Sequence, residues 1–261
     1  MNVLVFNIET IPDIDGGQRI NNLQGLDDKS TAKALFHLRK QQSGSSELPL
    51  YLQRIASISV VYRGMGDDMN HEVSVRSLGD KKSTEAELLT LFFAEIKQRT
   101  PTLVSWNGSS FDLPVIHYRA LKNNVSATSY WEKGNNDNDF RDDNYLSRYH
   151  DRHTDLMDVL SSYNESLGAP LNDIALMLGF PGKQTMDSSQ IWKHYLQGSI
   201  DAIRNYGEIG VLNNYLVYLR FQLIRGEINL EELTQEFTLL REKLDQPEQA
   251  HLEEFSKAWE Q

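Results

Sequence analysis

The sequence of 261 residues has no cysteine and is short of positive charge. Without cysteine the chain can form neither disulfides nor thiolate metal sites. No apolar run is long enough to span a bilayer and no charged-then-apolar signal peptide opens the chain, so we expect a cytoplasmic protein without membrane segments. Its 26 Lys and Arg against 37 Asp and Glu give a net charge of −11. This charge argues against broad binding to duplex nucleic acid, which needs a basic face, but allows a cleft that holds one strand end through metal ions and stacking.

What the sequence does contain is short apolar runs in its first half and helical periodicity in its second. Hydrophobic residues make up 39% of the chain, which supports a sizeable core. Strands interleaved with helices, then a mostly helical segment from Asp155 onward, predict one α/β domain with a mixed central sheet flanked by helices. We expect strands over 3–6, 55–61, 71–78 and 102–106, a loop over 11–30, and helices over 30–42, 83–96, 111–121, 156–163, 171–178, 188–196 and 200–224.

Two segments depart from this pattern. Residues 123–150 are rich in Asn, Asp and Ser, which predicts a flexible surface insertion, although Tyr130 and Trp131 offer rings on which a base could stack. Residues 229–261 are acidic, with apolar positions at helical spacing. We therefore place the main domain at 1–228 and expect the acidic extension to pack on it as helices, where a protein partner could also bind.

Three short stretches carry residues of candidate chemical importance. The first, "FNIET", places Glu9 just after the apolar run that opens the chain. The second, "SWNGSSFDLPVI", places Asp112 after an Asn-Gly turn and beside Phe111. The third, "YGEIGVLNNYLVYLRF", places Tyr206 and Gly210 four residues apart on a helix. Taken singly, each is typical of ordinary structure: a solvated strand end, an acid at a helix start, and a half-buried aromatic on an amphipathic helix.

Taken together and in this order, the three stretches resemble the DnaQ-like 3′–5′ exonucleases, in particular the predicted exonuclease family related to the proofreading domain of family B DNA polymerases. The resemblance extends through "HTDLMDVL" (153–160), "GFPGK" (179–183) and "VLNNYLVYLRFQLIRGE" (211–227). It implies a ribonuclease H-like fold, a single-stranded DNA or RNA 3′ end as substrate, and two divalent cations, Mg²⁺ or Mn²⁺, held by four carboxylates. Hard cations take oxygen ligands, and a pair of them can clamp the attacking and leaving oxygens of a phosphodiester.

Four residues match the family pattern of Asp-x-Glu, Asn-Gly followed by Phe-Asp, and Tyr-x-x-x-Asp. The resemblance implies that Glu9 and Asp112 are metal ligands, and that Glu9 and Tyr206 have catalytic roles, with Tyr206 orienting the attacking water. Phe111 would stack on the terminal base, an interaction that tolerates any sequence. The side chains implied to contact the bound strand are Asn107, Phe111 and Lys183.

Two ligand positions of the pattern are altered. Asn7 stands where the bridging aspartate belongs, and Gly210 stands where the last aspartate belongs. Each lost charge removes attraction that a divalent ion needs to displace its hydration water. We therefore expect metal binding to be weak or absent and hydrolysis to be abolished or nearly so, since such ligands act as a unit.

Neighbouring carboxylates are the alternative ligands. Glu208 and Asp201 lie on the helix of Tyr206 at spacings that direct them to other faces, whereas Asp155 could lie near the cleft. Three functions stay open: a binder of 3′ ends with a crippled metal site, a working exonuclease with substitute ligands, and a protein-interaction module with a vestigial cleft. Strand binding without turnover indicates the first, turnover the second, and neither the third.

Overall fold

The computed structural model of the chain describes residues 1–65, 71–182, 186–245 and 249–259. Within these ranges one sheet has the strand order β3-β2-β1-β4-β5. Its strands are β1 (Val3–Pro12), β2 (Gln53–Met65), β3 (His71–Ser77), β4 (Thr102–Ser105) and β5 (His153–Asp155). β2 is antiparallel to β1 and to β3, whereas β4 is parallel to β1 and to β5. The expected α/β fold with a mixed central sheet is confirmed, and it is consistent with a ribonuclease H-like domain.

Helices cover both faces of this sheet. α3 (Glu85–Arg99) and α4 (Asp112–Asn123) pack on one face, and the long α8 (Ile200–Arg225) crosses the other over β1, β2 and β3. The remaining α-helices are α1 (Ile14–Asn21), α2 (Asp28–Ser43), α5 (Leu156–Leu160), α6 (Leu171–Met177), α7 (Ile191–Leu196), α9 (Leu230–Leu244) and α10 (Ala250–Trp259). None of the helices in the described ranges has the length and apolar character needed to cross a membrane.

β1 is the central strand, and both of its faces are buried. Val3 and Val5 enter the core beneath α8, while Leu4 and Phe6 enter the core beneath α3 and α4. A strand that is covered on both faces needs apolar residues at nearly every position, which explains why the opening run lacks polar alternation.

The first strand is longer than the sequence predicts. Pairing with β2 continues to Pro12, with a bulge between Glu9 and Thr10. Glu9 therefore lies within the strand rather than at its tip, because cross-strand hydrogen bonds persist after the apolar run has ended.

The predicted loop over 11–30 is wrong, since it contains the helix α1. The carboxylate of Asp13 caps this helix by accepting a hydrogen bond of 3.2 Å from the N–H of Gly16. The neighbouring Gly17 lies directly against the side chain of Leu35 in α2. The Gly-Gly pair thus permits close packing of two helices here, although the same pair is typical of turns.

Residues 13–52 form an excursion that leaves and re-enters the sheet at one place. Pro12 pairs with Gln53 across β1 and β2, and the N–H of Asp13 donates to the carbonyl of Leu52 at 2.8 Å. The excursion has a small core of its own, formed by Leu35, Leu48 and Leu52.

A buried ion network fastens this excursion to α3 and α4. The guanidinium of Arg119, which is 2% exposed, donates to the carboxylate of Asp13 at 2.6 Å and to that of Glu85 at 2.7 Å. Lys122 forms a second ion pair with Asp13. Charges buried this deeply are tolerated because each has an opposite charge within hydrogen-bonding distance.

The segment over 123–150 has little regular structure, as its composition predicts, apart from a 3₁₀ turn at Asn138–Phe140. Its aromatic side chains are nevertheless part of the core, because Tyr130, Phe140 and Tyr145 pack beneath α3 and α4. The suggestion that Tyr130 stacks on a base is therefore wrong, since this side chain is 2% exposed. Trp131 is the more accessible of the two candidates.

The acidic C-terminal segment contains the helices α9 and α10. α9 and α10 contact α8 and each other. Their apolar positions bury Leu240, Leu244, Phe255 and Trp259 in the core that also receives Val5 of β1.

Candidate functional site

Asn7 and Glu9 lie on the face of β1 that α8 covers. Side chains two residues apart in a strand share one face, and Val3 and Val5 mark this face as the one beneath α8. Glu9 is 7% exposed, and Asn7 is half-buried. The strand therefore presents a carboxylate and an amide towards the helix that carries the third sequence stretch.

Asp112 reaches the same strand from the side, where β4 has ended at Ser105. Its Oδ1 accepts a hydrogen bond of 2.9 Å from the main-chain N–H of Ile8, the residue between Asn7 and Glu9. Burial raises the pKa of Asp112 to about 7, and the negative charges of Glu9 and Asp155 add to the rise against the lowering effect of the Ile8 hydrogen bond. The structure thus brings two of the predicted ligands, Glu9 and Asp112, into one electrostatic environment.

The negative charge of Asp155 acts on Asp112, but the carboxylate oxygens of Asp155 bind main-chain groups. Its two carboxylate oxygens accept hydrogen bonds of 2.8 Å from the main-chain N–H groups of Asn107 and Ser109, and it also caps α5. Asn107 adopts a left-handed conformation with φ of 62° in the turn that leads to Asp112. Asp155 is therefore a positioning residue, which sequence reasoning treated only as a possible neighbour of the cleft.

At Gly207, α8 lies close to Ser59 of β2 and to Glu9 of β1. A Cβ atom at this position would lie 2.5 Å from Ser59 Oγ and 3.5 Å from Glu9 Cγ, so the absence of a side chain lets the helix rest against the sheet. The preceding Tyr206 is buried beside Ile11. Gly210, one turn later, is buried as well and offers no donor atom.

The amide of Asn7 carries an unsatisfied oxygen. Asn7 Oδ1 is buried and has no hydrogen-bond partner within the part of the chain that the structure describes. Ser59, the cross-strand neighbour of Asn7, instead shares a hydrogen bond of 3.0 Å with Ser77. A buried acceptor without a partner costs about 1–3 kcal/mol, so this oxygen is maintained at the expense of stability.

A cavity of about 440 Å³ opens beside Glu9. Glu9 and Phe111 both line it, together with Trp192 of α7, whereas Asn107 and Tyr206 are not among its lining residues. Phe111 is half-buried and directly precedes Asp112. An accessible aromatic ring next to acidic groups suits a stacked planar ring system such as a nucleobase.

Comparison with protein families gives a match over residues 45–259 to a family described as a predicted 3′–5′ exonuclease related to the exonuclease domain of PolB. The match includes the turn that carries Phe111 and Asp112 and the helix that carries Tyr206 and Gly210. The chain belongs to this exonuclease family. β1, with Asn7 and Glu9, precedes the matched segment. No curated protein matches the chain.

The residues present do not fit the pair of divalent cations that membership of this exonuclease family suggests. Glu9 and Asp112 supply carboxylates, Asn7 supplies a neutral oxygen, and Gly210 supplies nothing. Among the described residues, no cluster of three or more acidic or histidine side chains is placed to hold a metal ion. Hard divalent cations need about six oxygen ligands with enough negative charge to replace hydration water, and this donor set falls short of two such sites.

Substitute ligands from α8 are not directed to this place in the exonuclease fold. The carboxylate of Glu208 accepts hydrogen bonds of 2.8 Å and 2.7 Å from the N–H and hydroxyl of Ser77 and lies 2.8 Å from His251 Nε2, on the side of β3 and α10. Asp201 is exposed and lies 3.6 Å from Lys81. The expectation that both point to other faces is confirmed. Lys183, a predicted contact to the bound strand, lies outside the described residues.

Proposed function

We propose that this chain binds the 3′ end of single-stranded DNA or RNA beside Glu9 and Phe111, and that it hydrolyses the strand very slowly or not at all. Membership of a predicted 3′–5′ exonuclease family supports a nucleic-acid substrate. The observation that carries the proposal is the Oδ1 atom of Asn7, which is buried, neutral and unpartnered among the described residues at the position where the family pattern has a carboxylate.

The residues in and near the cavity are of two kinds: those that bind the strand and those that belong to an incomplete catalytic site. Phe111 offers the ring on which the terminal base stacks, and it does so without sequence preference. Glu9 and Asp112 are the remaining ligand candidates for Mg²⁺ or Mn²⁺, while Tyr206 is the residue that would orient water in a complete site. A proton competes with any cation for Asp112, because its pKa is about 7 and a ligand must be deprotonated.

The test is degradation of a 5′-labelled single-stranded oligonucleotide with Mn²⁺, followed on a sequencing gel. We compare the chain itself with Asn7→Asp, Gly210→Asp and the double variant, and we check folding of each by thermal melting. Restored carboxylates should raise the rate by at least about 10-fold in the double variant, since even indirect contributors to metal sites change activity by about 10–100-fold. Asn135→Asp, at an exposed position, is the matched control for added charge and should change nothing.

One further variant and one single variant already named make the result decisive. Glu9→Gln in the double variant should abolish the gained activity, which would tie the gain to this site. If Gly210→Asp fails to fold, Asn7→Asp alone should still increase Mn²⁺-dependent cleavage. Equal cleavage by the unaltered chain would contradict the proposal and indicate a working exonuclease with substitute ligands.

Binding is measured separately by fluorescence anisotropy with the same oligonucleotide. A chain that neither binds nor cuts, and gains neither property in the double variant, would be a protein-interaction module with a vestigial cleft. The partner-binding role of the C-terminal helices and the cytoplasmic location stay predictions from the sequence.

A further inference from the structure

A second surface feature lies between α2 and α7, which we call the lysine groove. It has a volume of about 800 Å³, and the residues that define it are Lys29, Lys33, Phe36, Trp192, Lys193 and Leu196. α2 supplies Lys29, Lys33 and Phe36, and α7 supplies the rest. The two helices are more than 140 residues apart in sequence, so only the fold assembles this groove.

The lysine groove adjoins the cavity beside Glu9. Phe36, Ser189 and Trp192 line both of them. A chain-like ligand that starts next to Glu9 and Phe111 would therefore pass over Phe36 and Trp192 to reach the groove.

The charge of the groove is the opposite of the charge of the protein. Its lining contains three exposed lysines and no carboxylate, on a chain with a net charge of −11. Lys29 lies near Asp27, the carboxylate that caps α2. Within the described ranges, none of the three lysines is in an ion pair, whereas Lys81, Lys122 and Lys257 each are. Unpaired ammonium groups gathered on an acidic protein suit a polyanion.

The groove also presents apolar and aromatic surface between the lysines. Trp192 is half-buried, and its ring stacks on Tyr195 with a centroid distance of 5.7 Å and an interplanar angle of 14°, which fixes the plane of the indole. Leu196 is 44% exposed. Ammonium groups together with flat apolar surface are the composition of grooves that bind single strands, where lysines contact phosphates and rings contact bases.

We propose that the lysine groove binds the phosphodiester backbone of the single strand whose 3′ end occupies the cavity beside Glu9. This inference rests on the proposed function, because it takes the cavity as the place of the strand end. Lys29, Lys33 and Lys193 act as point charges on successive phosphates, and Trp192 offers a surface for a base near the exit of the cavity.

The experiment compares two lengths of 5′-fluorescein-labelled oligonucleotide, a thymidine 3-mer that reaches only the cavity and a 12-mer that also reaches the groove. Affinity is measured by anisotropy in Mg²⁺ buffer between 50 and 200 mM salt, and the oligonucleotides are checked for integrity afterwards. The test variant is Lys29→Gln, Lys33→Gln, Lys193→Gln. The matched control is Lys82→Gln, Lys97→Gln, Lys257→Gln, which removes the same charge from exposed positions outside the groove.

The test variant should bind the 12-mer more weakly and the 3-mer unchanged, while the control should bind both as the unaltered chain does. Three lost phosphate contacts should lower the slope of log affinity against log salt by about 2, since each contributes about 0.7 for a single strand. When salt is raised fourfold, the affinity of the unaltered chain should therefore fall by about 20-fold more than that of the test variant.

Each other outcome overturns one proposal or both. Equal binding of the 12-mer by test and control variants, with the 3-mer still bound, overturns the groove and leaves the proposed function standing. If the 12-mer binds through the lysines but the 3-mer does not bind detectably, the proposal that the strand end lies in the cavity is wrong. The proposed path from the cavity into the groove is then wrong as well. Absence of binding at both lengths overturns both proposals. All six substitutions are on exposed side chains, so thermal melting should show unchanged folding.

Discussion

The main-chain N–H of Ile8 donates a hydrogen bond of 2.9 Å to Oδ1 of Asp112, which joins β1 to the first turn of α4. The pairing of β4 with β1 ends at Val5, before this N–H group is reached. The bond holds the carboxylate of Asp112 at Ile8, between Asn7 and Glu9. This bond fixes the position of the Asp112 carboxylate beside β1. The carboxylate of Asp112 is buried close to those of Glu9 and Asp155. Its burial therefore has a measurable cost in the free energy of unfolding.

The first prediction concerns Asp112→Asn and its dependence on pH. The pKa of Asp112 is raised from 3.8 to about 7 in the folded state, so folded protein keeps a proton between pH 4 and 7 that unfolded protein loses. Stability in metal-free buffer should therefore fall as pH rises through this window. The variant escapes this loss and should be more stable than the unaltered chain at pH 8, by up to about 4 kcal/mol at about 1.36 kcal/mol per unit of pKa.

Urea unfolding at pH 4, 6 and 8 measures this difference. Asp201→Asn, at an exposed position, should show no such trend. A difference between Asp112→Asn and the unaltered chain that stays constant from pH 4 to pH 8 would contradict the raised pKa.

The second prediction concerns Gly207→Ala. Alanine is favoured over glycine in a helix by about 1 kcal/mol, yet its Cβ would lie 2.5 Å from Ser59 Oγ. We expect a net loss of about 1–3 kcal/mol in the free energy of unfolding, because overpacking forces the helix or the strand to move. Combining it with Ser59→Ala removes the clashing oxygen and should recover most of the loss. If the single variant is as stable as the unaltered chain, α8 does not rest on β2 at this point.

The third prediction concerns Arg119→Met, which removes the cation shared by Asp13 and Glu85. Breaking a buried ion pair leaves uncompensated charge and should cost about 3–5 kcal/mol in denaturant unfolding. Arg76→Met is the matched comparison, since Arg76 pairs with Glu95 at 2.6 Å but is 35% exposed. That pair should contribute at most about 1 kcal/mol. Similar losses in the two variants would show that burial does not set the strength of these pairs.

Local sequence patterns predict a strand or helix correctly where that element is long and apolar. The paired strands β2 and β3 and the helices α2, α3, α4 and α8 are present within a few residues of their predicted bounds. β5 has three residues, too few to show a period of two, and α1 was hidden because its Gly-Gly pair is typical of turns. Short elements depend on tertiary pairing and capping, which a local pattern does not contain.

The sequence predicts which residues form the candidate site but not how they are connected. Glu9, Phe111 and Asp112 do lie together in the structure, and Gly207 of α8 lies close to Glu9. The hydrogen bonds of Asp155 to the turn before Asp112 join residues more than 40 positions apart. No spacing rule identifies such a pair, because the parallel strands β4 and β5 alone bring it together.

The excursion over residues 13–52 begins and ends at one rung of the β1–β2 ladder, between Pro12 and Gln53. A module anchored in this way can lengthen or shorten with little effect on strand pairing, because each doubling of a flexible loop costs only about 0.6 kcal/mol. It supplies one wall of the lysine groove, and most of it precedes the segment that matches the exonuclease family. Under the proposed function, exchange of this module would change the affinity for a strand while Asn7 and Glu9 on the sheet stay as they are.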